Sequence, residues 1–180
     1  SAPVKAVRCF QRRISAATAS AFLYATDKLL FIGGPDWYPL ATGIGIVTFV
    51  VTTLLALPQT NDRRQLGYSS IAQTGLVLLV LGQRDILGEA TAFIAFGLLL
   101  SHAVAKAGLY WLSGLVAERE LTAWAALRER PLLVFAFVTF IAMLSGLPPF
   151  PGFYAKWELV HLLAGADRLM LIALILLGAL

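Results

Sequence analysis

Residues 144–156, LSGLPPFPGFYAK, interrupt an apolar helix with three prolines and two glycines, and the helix then resumes before a lysine. Proline has no backbone N–H, so carbonyl groups lose their helical partners here and, inside a membrane, must face protein or a water-filled cavity. Pro148, Pro149 and Gly152 therefore predict the hinge of a broken helix. Lys156 is a candidate ion-pathway residue, because charged groups on such helices are costly. The alternative is an ordinary loop after which Lys156 snorkels to the membrane interface.

The composition of the chain is that of an integral membrane protein. Of its 180 residues, 59% are hydrophobic and 13% are charged, which is too apolar for a soluble domain of this size. A single cysteine, Cys9, excludes an internal disulfide, and the two histidines are far apart in the sequence, so no metal site is predicted. No nucleotide-binding loop or hydrolytic constellation is present, so we expect no cofactor in this chain. Most basic residues fall in connecting loops, and no nucleic-acid partner is expected.

Apolar segments predict about six membrane spans in an all-α, multi-span helical bundle. Four are continuous: Ser15–Ile32, Tyr38–Leu57, Tyr68–Leu81 and Ile86–Val116. Pro131–Leu147 and Gly152–Ala164 are half-length pieces that together could cross once. Leu169–Leu180, with about 12 residues, is too short to cross, so we expect a fragment or half of a split subunit. The predicted organisation is a basic flank, residues 1–14, and a transmembrane domain, residues 15–180.

Basic residues in the loops predict the orientation of the chain. With the broken pair counted as one span, the loops on the N-terminal side contain Lys5, Arg8, Arg12, Arg13, Arg63, Arg64, Arg119, Arg128 and Arg130. The opposite loops contain Arg84 and Arg168. The positive-inside rule then places the N-terminus in the cytoplasm or matrix, with the chain in a bacterial or mitochondrial inner membrane.

Two ionisable residues lie near the middle of the fourth predicted span. His102 and Lys106 are four residues apart, which places them one turn apart on one helical face. Both groups can bind and release protons, and a single water could join them. A proton relay is therefore predicted at this pair. The alternative is that both only form hydrogen bonds with neighbouring helices.

Other ionisable residues are secondary candidates for a proton path. Asp27 and Lys28 end the first predicted span, where an interfacial position is preferred. Glu158 and His161 are three residues apart and can pair, which favours a role in orienting the helix after Lys156. The basic loop before Tyr68 predicts a helix start there, with Ser69 or Ser70 as cap.

Three motifs occur in the order and spacing of a known family. They are Ala56–Ile71 followed by Gly75, Ser101–Tyr110 with Gly114, and Gly146–Pro149 with Gly152–Lys156. Together they resemble the antiporter-like proton-translocating subunits of respiratory complex I (NADH:quinone oxidoreductase), of Mrp-type cation/proton antiporters and of membrane-bound hydrogenases.

The resemblance implies a fold and a role for each motif. Such subunits contain two inverted five-helix repeats, each with a broken helix, and this chain would cover the last helix of the first repeat and most of the second. Lys106 would be the central lysine of the second half-channel, His102 its relay partner and Lys156 the terminal lysine. In a complex I-like assembly, flavin, iron–sulfur clusters and quinone are expected in partner subunits.

The sequence also departs from the family pattern. The Glu and Lys of the family's first repeat are not in residues 1–14. One of the other membrane subunits, a second chain, is therefore a candidate to supply that repeat. Tyr24 aligns with a channel-facing His or Lys, with Lys28 one turn further on. In the loop motif Asn61 aligns with the usual acidic residue, and Asp62 is adjacent.

Three hypotheses follow for the function. The first is a proton-translocating subunit in which Lys106, His102 and Lys156 form a relay through water, within complex I or a proton-pumping hydrogenase. The second is a component of an Mrp-type sodium/proton antiporter. The third is a structural scaffold without its own proton path, packed against a full-length partner.

Overall fold

In a computed structural model of the chain, residues 24–28, 30, 32–116 and 121–177 are described, and their regular structure is helical. Residues 24–28 are helical. The longer helices are α1 (Tyr38–Ala56), α2 (Asp62–Gly82), α4 (Ala90–Ser113), α5 (Pro131–Ser145), α6 (Pro151–Gly165) and α7 (Leu169–Leu177), with α3 (Arg84–Leu87) a single turn. Two 3-10 helices, Pro35–Trp37 and Leu121–Glu129, precede α1 and α5. The prediction of an all-α membrane bundle is confirmed.

Three helical segments are long and apolar enough to cross a membrane: Pro35–Ala56, Asp62–Gly82 and Ala90–Ser113. They correspond to the second, third and fourth predicted spans. Helix α5 is also apolar but shorter. The basic flank of residues 1–14, most of the first predicted span and residues 178–180 lie outside the described residues.

Two predicted helix boundaries are wrong. Helix α2 begins at Asp62, because the Asn61 side chain caps it by accepting a hydrogen bond from Arg64 N at 3.3 Å, so Ser69 and Ser70 lie inside the helix. The predicted span Ile86–Val116 is interrupted, because Gly88 has a φ of 53° and separates α3 from α4. Hydropathy alone misses both features, because neither a polar first turn nor a glycine break changes the mean hydropathy of the segment much.

Helices α1 and α2 cross with their backbones in contact. A Cβ at Gly45 would lie 2.6 Å from Leu79 N, and one at Gly75 would lie 2.8 Å from Phe49 N. Small residues allow this approach, which supplies dispersion contacts where lipid offers little hydrophobic driving force. The crossing holds α2 at the centre of the bundle, between α1 and α4.

The broken helix is closed by a C-terminal cap. Leu147 N donates to Ala142 O at 2.9 Å, Gly146 N donates to Met143 O at 3.3 Å, and Gly146 is left-handed with a φ of 78°. This is the Schellman arrangement, which satisfies two of the last carbonyl groups of α5. The break comprises residues 146–150, and α6 begins at Pro151, which needs no helical partner for its nitrogen.

Replacement of Gly45 by alanine tests the crossing of α1 and α2. The new methyl group must push the two backbones apart, so we expect a loss of about 1–3 kcal/mol in stability. Gly43→Ala is the matched control on the same helix, because a Cβ there meets nothing within 4 Å. Thermal unfolding of the purified membrane complex should show a lower Tm for Gly45→Ala only. Equal Tm values for the two variants would contradict the close crossing.

Candidate functional site

One face of α4 contains several polar residues of the site. His102, Lys106, Tyr110 and Ser113 follow each other at spacings of four, four and three residues, which aligns them along the helix. Lys106 is 5% exposed, because α2 packs against this part of α4. A buried ammonium requires hydrogen-bond acceptors or water.

Lys106 is bound to helix α2. Its Nζ donates to Leu66 O at 2.5 Å, and the Ser70 hydroxyl also donates to that carbonyl oxygen at 3.0 Å. The partner of the ammonium is thus a neutral backbone dipole in the second turn of α2. Since an ammonium has three donors, this bond leaves two for water or other acceptors.

His102 lines a small cavity between α4 and the broken helix. The cavity has a volume of about 10 Å³, and its polar lining includes Gln73, Ser101, His102 and Lys156. This is on the order of the space that one water molecule needs. His102 Nε2 is buried, and it has no hydrogen-bond partner within the described part of the chain. A water molecule in this cavity would therefore lie beside the His102 side chain.

Lys156 reaches back across the break in the helix. Its Nζ donates to Ser145 O at 2.8 Å, the carbonyl of the last residue of α5. A cation at a helix C-terminus is also favoured by the helix dipole. The side chain lies along Gly146, where a Cβ would be 3.0 Å from Lys156 Cδ. The ammonium is therefore directed to the break and not to the membrane interface.

Close packing of α4 against both halves of the broken helix, α5 and α6, brings the site together. The Ser101 hydroxyl donates to Met143 O at 3.0 Å, and a Cβ at Gly152 would lie 2.6 Å from Ser101 Oγ. Gly152 lies within the first turn of α6, whereas Pro148 and Pro149 lie in the break itself. Gly152 thus allows α6 to approach Ser101 of α4 closely, a role that the predicted hinge did not include.

The structure adds partners that the sequence did not predict for the three main residues. Lys106 Nζ is bound to α2, and His102 shares its cavity with Lys156, while the predicted water link between His102 and Lys106 stays a prediction. His102 still lies within the electrostatic range of both lysines. The spacing of four residues fixed the face of α4 and left the direction of the long lysine side chain undetermined.

The secondary candidates lie away from this cavity. Asp27 forms an ion pair with Arg84 at 2.8 Å, with both side chains 39% exposed, and Lys28 Nζ lies 5.5 Å from the centre of the Tyr24 ring. The predicted pairing of Glu158 and His161 is wrong. Both residues are described, and neither a hydrogen bond nor an ion pair joins them; His161 is exposed.

Sequence reasoning missed one buried polar pair. The Ser113 hydroxyl donates to the Asp62 carboxylate, which is 1% exposed at the start of α2. The position of Ser113 on the same helical face as Lys106 was an available indication. For metals, no cluster of three or more His, Cys, Asp or Glu side chains occurs in residues 24–28, 30, 32–116 and 121–177.

Comparisons with known proteins match nearly the whole chain. The sequence model of the family described as NADH:quinone oxidoreductase/Mrp antiporter, TM, matches residues 14–180. NADH-quinone oxidoreductase subunit N of Rubrobacter xylanophilus is 32% identical over 160 residues, which cover 85% of this chain and 33% of that protein. The subunit N of Chloroflexus aggregans is 34% identical over 154 residues, with 80% and 31% covered. The chain thus spans about a third of the length of these relatives.

A solved structure has the same fold. The Mrp complex from Dietzia sp. DQ12-45-1b contains a chain that matches with a TM-score of 0.72 and 22% identity. The match covers 87% of this chain and 30% of the other. At this identity the comparison supports the architecture of the helical bundle.

Replacement of Gly146 by alanine tests the seat of Lys156. The variant combines a left-handed residue with a Cβ that contacts the lysine side chain, so we expect a stability loss of about 1–3 kcal/mol. Gly165→Ala is the control, because a Cβ there meets nothing within 4 Å.

A double-mutant cycle separates the two causes of this loss. In a Lys156→Ala background the contact is gone and only the backbone strain remains, so Gly146→Ala should lower Tm by less. An identical loss of Tm in both backgrounds would show that Lys156 does not lie along Gly146.

Proposed function

The chain belongs to the NADH:quinone oxidoreductase/Mrp antiporter transmembrane family, and from this premise we propose that it is part of a proton-translocating subunit of a complex I-type membrane complex. The family match over residues 14–180 and the relatives named subunit N support this proposal. The chain spans about a third of those relatives, so the activity of the whole protein belongs to the proposal.

The proposed proton path joins Lys106, His102 and Lys156. The observation that supports it best is the cavity with room for about one water, lined by both His102 and Lys156, next to a buried His102 Nε2. An unprotonated imidazole nitrogen accepts a proton, and water in the cavity can pass it on to Lys156. A second water would join His102 to Lys106, whose Nζ is bound to Leu66 O.

Electrostatic repulsion couples the protonation states of the three groups in the relay. In a site of low dielectric constant, neighbouring positive charges cost several kcal/mol, so the three groups do not all hold a proton together. The arrival of a proton at one group therefore favours its departure from another. The neutral carbonyl partners of the two lysines allow either protonation state.

The proposal includes the surroundings of the chain. Residues 15–180 form a transmembrane proton-translocation domain, with the basic flank of residues 1–14 and the basic loops on the cytoplasmic or matrix side. Its proposed partners are the other membrane subunits of the complex, among them a second chain that would supply the first repeat. Flavin, iron–sulfur clusters and quinone belong to partner subunits.

Replacement of Lys156 by alanine should abolish proton translocation and leave assembly intact, because the side chain borders a polar cavity. Lys106→Ala should have the same effect. His161→Ala is the matched control on α6, since that side chain is exposed and does not line the cavity. The measurement is the initial rate of proton translocation in vesicles containing the purified complex. A normal rate for Lys156→Ala would remove this residue from the path.

Sodium dependence separates the proposal from an Mrp-type antiporter. We expect proton translocation to follow electron transfer from NADH to quinone and to be unchanged when sodium is replaced by choline. A pH change driven by a sodium gradient alone would indicate the antiporter. Mass spectrometry of the purified complex should identify flavin and iron–sulfur subunits; their absence, with small membrane subunits in their place, would contradict a complex I-type assembly.

A further inference from the structure

A buried carboxylate lies at the end of the bundle that contains the basic residues Arg63 and Arg64, in the first turn of α2 next to the loop that precedes it. Asp62 is 1% exposed, Arg63 N donates to its Oδ1 at 2.6 Å, and the Ser113 hydroxyl donates to its Oδ2. Within the part of the chain that the structure describes, both hydrogen-bond donors to Asp62 are electrically neutral groups. A carboxylate with neutral partners can gain or lose a proton without leaving an opposite charge buried and unpaired.

The same two helices connect this carboxylate to Lys106. On α2, Asp62 and Leu66 are one turn apart, which is about 6 Å of helix rise, and Leu66 O accepts the hydrogen bond from Lys106. On α4, Lys106, Tyr110 and Ser113 lie on one face. Tyr110 is within electrostatic range of Asp62 and Arg63. The carboxylate and the acceptor of the ammonium therefore lie on successive turns of α2, and Tyr110 and Ser113 follow Lys106 on one face of α4.

We infer that Asp62 collects protons on the side of the basic loop and delivers them to Lys106 along Ser113 and Tyr110. This inference rests on the proposed function, because it supplies the path of proton uptake to the relay. Gly114, next to Ser113 in the chain, is exposed, so the carboxylate lies close beneath the surface at this end of the bundle.

The transfer requires protons only. The Asp62 carboxylate takes a proton from a hydronium ion of the solvent, which becomes water, and forms an O–H bond. The Ser113 hydroxyl, which donates to the carboxylate before this step, then rotates and accepts the proton of Asp62, while its own proton passes through Tyr110 and water to the unprotonated amine of Lys106. Asp62 returns to the carboxylate. Since Ser113 and Lys106 are seven residues apart, about 10 Å of helix rise, Tyr110 and water are both needed between them.

A purely structural role makes a different demand on residue 62. A clamp between α2 and α4 needs only a hydrogen-bond acceptor, and an asparagine keeps one in nearly the same place. A relay needs a group that binds and releases a proton, and an asparagine does not. Asp62→Asn therefore separates the two roles, with Asp85→Asn as the control, because Asp85 is exposed in α3 at the opposite end of α2.

The experiment measures proton translocation by the assembled complex in vesicles for the wild type, Asp62→Asn, Ser113→Ala, Asp85→Asn and Lys106→Ala. We expect Asp62→Asn to be slower by at least about tenfold, since a positioned proton-transfer group contributes ~10²–10⁴ to a rate. Ser113→Ala should be slowed less, because water can replace a hydroxyl. Asp85→Asn should equal the wild type.

The response to azide distinguishes a relay from a clamp, because azide can replace a missing proton carrier but not a missing structural contact. Hydrazoic acid is a small neutral acid that carries protons past a missing carboxyl group, so azide should restore the rate of Asp62→Asn relative to Asp85→Asn at the same concentration. Full translocation by Asp62→Asn would overturn the inference. So would a slow variant with a lowered Tm and no response to azide, which identifies a clamp. If Lys106→Ala translocates normally, the proposed function fails; if only Asp62→Asn does, the inference alone fails.

Discussion

The interior of a membrane contains almost no water, so the carbonyl groups at the break need hydrogen-bond donors from the protein itself. The fold depends on supplying these donors. Backbone N–H groups of the cap bind Ala142 O and Met143 O, Ser101 adds a second donor to Met143 O, and Lys156 donates to Ser145 O. An unsatisfied carbonyl in the bilayer core would cost several kcal/mol. A polar residue on α4 and a cation on α6 therefore supply two of the donors at the break, and both border the cavity, from which water can replace a lost donor.

Close packing of small residues makes those contacts possible. Gly152 leaves room for Ser101, and a Cβ at Gly97 would lie 2.8 Å from Ala155 Cβ, so α4 and α6 approach each other closely. The same absence of side chains leaves a cavity at Gly146 and Gly152. The water position beside His102 is thus a consequence of how the helices pack around the break.

Most features that a single element determines could be predicted from the sequence, apart from the start of α2 and the break at Gly88, and features that depend on two elements could not. Hydropathy located the helices, and the prolines located the break of residues 146–150. The direction of the Lys106 side chain depends on Leu66 O of another helix, and its flexible stem gives no local indication of that choice. The contact of Asp62 with Ser113 joins residues that are 51 positions apart, so no local periodicity contains it. The predicted start of α2 at Tyr68 is wrong, because the cap by Asn61 stabilises a helix whose first turn is polar and begins at Asp62.

The chemistry of the partners bears on which charged groups of this bundle the proposed relay can use. Removing one charge from a buried ion pair leaves the other uncompensated, at a cost of about 3–5 kcal/mol. A charge bound to a neutral group loses only a hydrogen bond, worth about 1.5–3 kcal/mol, when its protonation state changes. Lys106 and Lys156 bind carbonyl oxygens, whereas Asp27 is paired with Arg84. The two lysines can thus lose their charge without leaving an opposite charge unpaired, whereas the Asp27–Arg84 pair, with both side chains 39% exposed, is screened by solvent and contributes little to stability.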